Sequence, residues 1–188
     1  RYFFIHPWFR NGIDTAVVHN LLIHEINIPS FYPLRNGLHY IGNLVVKNFE
    51  LYKSINTNDA GAVTGTAYIN PLNPLDSAYT DDNETGNFIR LESGTNYVLS
   101  ADLGYIRLRD MVMNEIIGCS FILQDRNTGQ VVMEVGSPAD SLGTNLALMM
   151  LKPRNSHPNH PSWPLMFKNV YYLGTTQINQ EGFEVKII

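Results

Sequence analysis

The chain has 188 residues, of which 44% are hydrophobic and 16% are charged, so it is long enough and apolar enough to bury a core. Its formal net charge is -4 and no basic stripe runs along it, which argues against binding to nucleic-acid phosphates. The single cysteine, Cys119, excludes an internal disulfide or a redox pair, and its apolar neighbours predict a buried, unreactive thiol.

The predicted elements of the N-terminal part are mostly strands. Tyr2–Ile5 is apolar and aromatic, as in a half-buried strand, and is followed by a short helix that Asp14 can cap. Alternation of polar and apolar residues then predicts three more strands, at Ile23–Ile28, His39–Lys53 and Thr66–Ile69.

A loop is predicted at Asn70–Asn87, which combines prolines with a concentration of Asp and Asn. We therefore expect a β-rich half with a short helix over residues 1–70, a linker over 71–87 and a hairpin-rich half over 88–188. Within the linker, Asp81–Glu84 offers hard oxygen ligands for Ca²⁺. Its spacing fits no EF-hand loop, however, and favours a solvated acidic turn.

Two hairpins are the clearest structural prediction. Their strands are rich in β-branched and aromatic residues, at Tyr97–Leu99 and Tyr105–Leu108, and at Ile116–Leu123 and Val131–Val135. In the two turns Gly104 and Gly129 can take positive φ without penalty. The Asp102 and Asn127 side chains are expected to bond their own backbone there.

The last part of the chain predicts one more buried strand and a short helix. Asn145–Leu151 is apolar on both alternating faces, and a strand is favoured over a buried helical turn because Pro153 stops the run. Trp163–Leu173 predicts a short helix with Pro164 in its first turn, and Gly182–Ile188 a final strand. The sequence thus predicts a mainly β fold, with antiparallel, β-sandwich-like sheets and one or two short helices.

No catalytic motif accompanies these elements: the chain has no glycine-rich nucleotide loop, nucleophile elbow or zinc-protease motif. His157 and His160 have the spacing of metal ligands, but the prolines that follow each prevent a regular helix from aligning them. Asp102 and Glu134 are better explained by a turn and a solvent-facing strand position than by a glycosidase pair. We therefore predict binding rather than catalysis, with no catalytic residue, metal or cofactor.

Three stretches resemble segments of one protein family, in the same order. Arg1–Asn11 resembles the family's F-F-L-S-x-x-F-R-N segment, and Asn96–Leu108 resembles its Y-T-x-x-x-x-L-G-Y-I-x-L hairpin. Leu151–Pro153 with His160–Gly174 resembles its L-P-T-W-D-L-M-M-K-N-V-Y-S-L-G stretch, with proline in place of the usual Asp, and Glu181–Val185 fits the strand that follows.

The family is SprA/Sov, the giant outer-membrane translocon of the Bacteroidota type IX secretion system, which is also needed for gliding motility. The resemblance implies a soluble, non-catalytic domain of a translocon that exports folded cargo. The implied partners are the remainder of the translocon chain, accessory secretion-system subunits and secreted cargo, and not nucleic acid. Because the chain starts and ends within strand patterns, we expect a piece of a longer polypeptide. We expect that polypeptide at the outer membrane or cell surface, with this segment on the periplasmic or extracellular side and not spanning the membrane.

Three aromatic residues are the candidate contact residues. Trp8, Trp163 and Tyr171 are predicted either to contact protein partners or to pack within the domain. The alternative function is a carbohydrate- or cell-surface-binding β-sandwich module, in which Trp8 and Trp163 would be the platforms for sugar rings.

Overall fold

Strands dominate the computed structural model, which describes residues 2–4, 44–56, 61–75, 77–101, 104–137 and 146–166. The strands within these residues are β1 (Tyr2–Phe4), β2 (Leu44–Ile55), β3 (Val63–Tyr68), β4 (Glu84–Leu91), β5 (Tyr97–Ser100), β6 (Tyr105–Leu108), β7 (Ile117–Asp125), β8 (Val131–Val135) and β9 (Leu146–Lys152). Two 3₁₀ turns accompany them, η1 (Thr80–Asp82) and η2 (Trp163–Leu165). The predicted mainly β fold with short helical pieces is confirmed.

Five of the strands form a closed ring. β2 pairs with β4, β4 with β3, β3 with β9 and β9 with β7, and β7 pairs back to β2. The β3–β9 pairing is parallel and the others are antiparallel. β8 extends the sheet from β7. Closure of the ring gives these five strands a neighbour on each side, so backbone groups are paired around it.

The interior of the ring is narrow and is filled by alternating small and large residues. The inner core consists of Tyr52, Ala67, Phe88, Ile116, Leu146, Leu148 and Met150. A Cβ atom added to Gly65 would lie 2.5 Å from the Leu146 Cβ, and one added to Gly118 would lie 2.9 Å from the Leu148 Cβ. Both positions therefore favour glycine, because β9 approaches too closely to leave room for a Cβ atom.

A second, three-stranded sheet covers one side of the ring, with strand order β1-β6-β5. It buries a larger outer core against β2, β7 and β9, formed by Phe3, Val46, Leu51, Tyr97, Ile106, Leu108, Val112, Ile117, Cys119, Phe121, Leu123, Val135, Met149, Leu151 and Leu165. Phe49 joins the two layers, since its ring contacts Tyr97 and Phe121 with centroid separations of 5.7 and 6.2 Å. No helix in the described part of the chain is long and hydrophobic enough to cross a membrane.

Most predicted strands that fall on described residues are confirmed, including both hairpins and the run that became β9. β4 was not predicted, because Thr85, Gly86 and Asn87 are typical of a turn. These residues form a strand because β2 and β3 pair with them from either side. β4 begins inside the predicted linker, and the two predicted halves contribute strands to the same ring.

Of the helix predicted at Trp163–Leu173, the described residues form the single 3₁₀ turn η2. Met166 has extended backbone, with φ -78° and ψ 135°, and forms an antiparallel bridge with Phe3. At Met166 the chain therefore pairs with β1 and does not continue the helical turn. The rest of this prediction, the helix after Asp14 and the strands at 23–28 and 182–188 lie outside the described residues.

The turn between β7 and β8 is built by a different side chain from the one predicted. Asp125, not Asn127, supplies the acceptor: its Oδ1 accepts the backbone N–H groups of Asn127 and Thr128, each at 2.8 Å. These two bonds, that from Thr128 foremost, lower the pKa of Asp125. Gly129 and Gly104 have φ of 72° and 63°, as predicted for the two turns.

Candidate functional site

Two polar segments that are far apart in sequence lie against each other. The first carries Asp82 at the end of η1 and Glu84 at the start of β4, and the second follows β9. The backbone N–H of Arg154 donates to Glu84 Oε1 at 3.1 Å, and its Nε lies 3.5 Å from Glu84 Oε2. His160 Nε2 lies 4.0 Å from Asp82 Oδ1. We call these four residues, together with His157, the acid–histidine clasp.

His160 is the buried centre of the clasp, with 7% of its surface exposed. Its Nδ1 accepts the Ser162 backbone N–H at 3.2 Å and lies 2.9 Å from Ser162 Oγ. The His157 ring packs edge-on, at a centroid separation of 5.6 Å. Burial is the main cause that lowers the pKa of His160, and His157 lowers it further. The Asp82 and Glu84 carboxylates act in the opposite direction, Asp82 more strongly. The net result is an imidazole that favours its neutral form.

A small cavity lies beside His160. Its volume is about 10 Å³, and Phe3, Lys152, Trp163 and Met166 contribute to its lining. This is roughly the space that one water molecule needs, and it is too small for a sugar ring or a cofactor. Trp163 is half-buried in η2 and packs beside this space.

The buried Lys152 side chain forms hydrogen bonds with the loop between β6 and β7. The side chain is 2% exposed, and its Nζ donates to the backbone carbonyls of Met113 at 2.8 Å, Glu115 at 3.0 Å and Pro153 at 2.8 Å. A buried ammonium group is tolerated only when its protons are bonded in this way. Nothing in the sequence indicated this role, because it depends on which loop the fold brings to the end of β9.

The loop held by Lys152 displays two apolar side chains. Met111 and Met113 are 68% and 67% exposed, whereas Val112 between them is buried in the outer core. The Met113 backbone N–H also donates to Glu115 Oε2 at 2.9 Å. Methionine side chains are flexible and polarizable, so this exposed pair offers an adaptable apolar surface.

The predicted site residues have different positions. Trp163 lies at the clasp, while Trp8, Tyr171 and Asp102 lie outside the described residues. The acidic turn at 81–84 and the histidine pair, considered separately from sequence, are brought together by the fold. Their proximity had no sequence signal, since it follows from the register of β4 beside β3 and of β3 beside β9.

The remaining reactive groups are placed as the sequence predicted. Cys119 is fully buried, which raises the pKa of its thiol, and Glu134 is exposed on β8. Within the described ranges, no three His, Cys, Asp or Glu side chains are arranged to hold a metal ion. Comparison with known proteins finds no family model and no curated protein that matches this chain.

Proposed function

We propose that the chain is a non-catalytic domain of a SprA/Sov-like translocon of the type IX secretion system. It acts through contacts with the rest of the translocon chain, accessory subunits and secreted cargo, at the outer membrane or cell surface. The observation that carries this proposal is the contact among the three stretches that resemble the family.

These stretches are distant in sequence but meet in the outer layer. Phe3, from the first stretch, pairs with Ile106 of the second and forms a bridge with Met166 of the third. Leu151 and Leu165, also from the third stretch, lie in the same outer core as Phe3 and Ile106. A shared structural unit requires such contacts, because its segments must pack together as one layer. The contact therefore supports reading the resemblance as one shared structural unit.

The exposed surface supports a role in protein contacts. Met111 and Met113 follow directly on the second of these stretches, and their loop is ordered by bonds to Lys152. An apolar pair on an ordered loop loses little conformational freedom on binding, so its burial contributes more of its free energy to association.

Site-specific photo-crosslinking in cells tests this function. A photoreactive amino acid at Met113 of the parent protein should give adducts with translocon subunits or cargo, identified by mass spectrometry. The same amino acid at Thr64, an exposed polar position on β3, is the control. Adducts at Met113 no more abundant than those at Thr64, or adducts with unrelated proteins alone, would argue against the proposal.

The carbohydrate-binding alternative needs an open aromatic face. Trp163 is half-buried and lines a cavity of about 10 Å³, which supports a packing role instead. Titration of the chain with a panel of sugars, followed by tryptophan fluorescence, separates the two functions. Saturable quenching that is lost in Trp163→Phe would favour the carbohydrate-binding module.

A further inference from the structure

The hydrogen bonds of His160 fix the position of its proton. Nδ1 accepts the backbone N–H of Ser162, and a ring nitrogen that accepts an N–H carries no proton of its own. The proton of the neutral ring is therefore on Nε2, which faces Asp82 at 4.0 Å. The ring thus joins the Ser162 turn on one side to the acidic turn on the other.

Addition of a proton to Nδ1 abolishes the contact with the Ser162 N–H and strengthens the contact with Asp82. A protonated Nδ1 and the Ser162 N–H would be two donors facing each other across 3.2 Å, so this hydrogen bond is lost, and Nδ1 donates instead to Ser162 Oγ at 2.9 Å. The imidazolium is attracted to Asp82, since unlike charges attract strongly in a partly buried setting. We infer that His160 is a proton-operated latch, in which uptake of one proton frees the Ser162 backbone amide and adds a charge attraction between the ring and Asp82.

Among the described residues, charged and titratable groups surround the ring on both segments. Asp82 and Glu84 favour the cation, and His157 disfavours it. Arg154 forms an ion pair with Glu84 and so offsets part of the charge of that carboxylate. Lys152 lines the same small cavity as His160. The latch therefore responds to substitutions on both segments of the acid–histidine clasp.

Opening of the latch is transmitted along a chain of backbone bonds. The Trp163 N–H donates to the His160 carbonyl at 2.8 Å, and the Met166 N–H donates to the Trp163 carbonyl at 3.2 Å. Met166 in turn bridges to Phe3 on β1. Loss of the Ser162 amide bond therefore loosens the turn that carries Trp163 and weakens its attachment to the outer sheet.

The direction of the pH dependence follows from burial. The pKa of His160 is lowered in the folded chain, so the unfolded chain binds this proton more readily. The closed latch is fully stable above the ordinary histidine pKa of about 6.5. Its stability is lost as the pH falls from there through the lower pKa of the folded chain.

Nuclear magnetic resonance of the ¹⁵N-labelled chain from pH 8 to pH 4.5 tests the latch. The Ser162 amide proton should shift upfield with the same midpoint as the His160 ring, because its hydrogen bond is lost when the ring is protonated. The ¹⁵N shifts of the ring should show Nδ1 unprotonated at pH 8. A Ser162 amide that stays constant while His160 titrates, or a proton on Nδ1 at pH 8, would overturn the inference.

Two variants and a matched control add a second measurement. Asp82→Asn should lower the His160 midpoint, because it removes a carboxylate that favours the cation, and His157→Asn should raise it. Asp81→Asn, on the same 3₁₀ turn but exposed, should leave the midpoint unchanged. If Asp82→Asn does not fold, the His157→Asn shift against the Asp81→Asn control decides the question. An identical midpoint in every variant that folds refutes the latch.

Discussion

Lys152 and His160 show how one buried polar side chain can position a loop. Each replaces its lost hydration with hydrogen bonds to backbone groups: Lys152 donates to three carbonyls, and His160 accepts one amide. The lysine remains bonded while it is charged, whereas the histidine keeps its bond only while it is neutral. The His160 contact therefore depends on pH.

Replacement of Lys152 by Met should reduce the free energy of unfolding by about 2–4 kcal/mol, because the variant removes the donor shared by the carbonyls of Met113, Glu115 and Pro153. The loop that displays Met111 and Met113 should also become more mobile. Urea unfolding measures the first effect, and hydrogen exchange of residues 109–116 measures the second. Lys47→Met, at an exposed position, should change stability by less than about 0.5 kcal/mol. Equal effects of the two substitutions would contradict the role of Lys152.

At the scale of elements, the β7–β8 hairpin depends on side-chain bonds within its turn. Asp125 accepts two backbone N–H groups, and the backbone N–H of Gly129 donates to the Asp125 carbonyl at 2.8 Å. Together these bonds close the turn before β8 begins, so the Asp125 carboxylate contributes to the register of β8 on β7.

Asp125→Ala should therefore lower the urea midpoint more than Asn127→Ala does, although both replace a polar turn residue. The effect of Asp125→Ala should be the larger one because the Asp125 carboxylate accepts the two backbone N–H groups. Equilibrium unfolding of the two variants in parallel provides the measurement. A larger loss in Asn127→Ala would mean that the turn is built as the sequence pattern suggested.

At the scale of the whole molecule, the inner and outer cores share the strands that separate them. β9 alternates between the two, with Leu148 and Met150 facing the ring interior and Met149 and Leu151 facing the outer sheet. β2 does the same with neighbouring residues. Disruption of either core therefore destabilises β2 and β9, which also form part of the other core.

We expect the two cores to unfold together. Phe88→Ala in the inner core should cost about 3–5 kcal/mol and Ile106→Ala in the outer core about 2–5 kcal/mol. Each variant should still show one transition, with coincident curves from far-ultraviolet circular dichroism and tryptophan fluorescence. Two separated transitions in either variant would mean that the layers are independent units.

The sequence by itself determined the features that depend on neighbouring residues. Alternation and turn glycines were sufficient to predict the two hairpins, the run that forms β9 and the burial of Cys119. Only the tertiary structure decided that Thr85–Asn87 forms part of a strand, that Met166 pairs with Phe3 instead of continuing a helix, and that Asp82 meets His160. These features depend on partners distant in sequence, and a local pattern carries no information about which segments ring closure brings together.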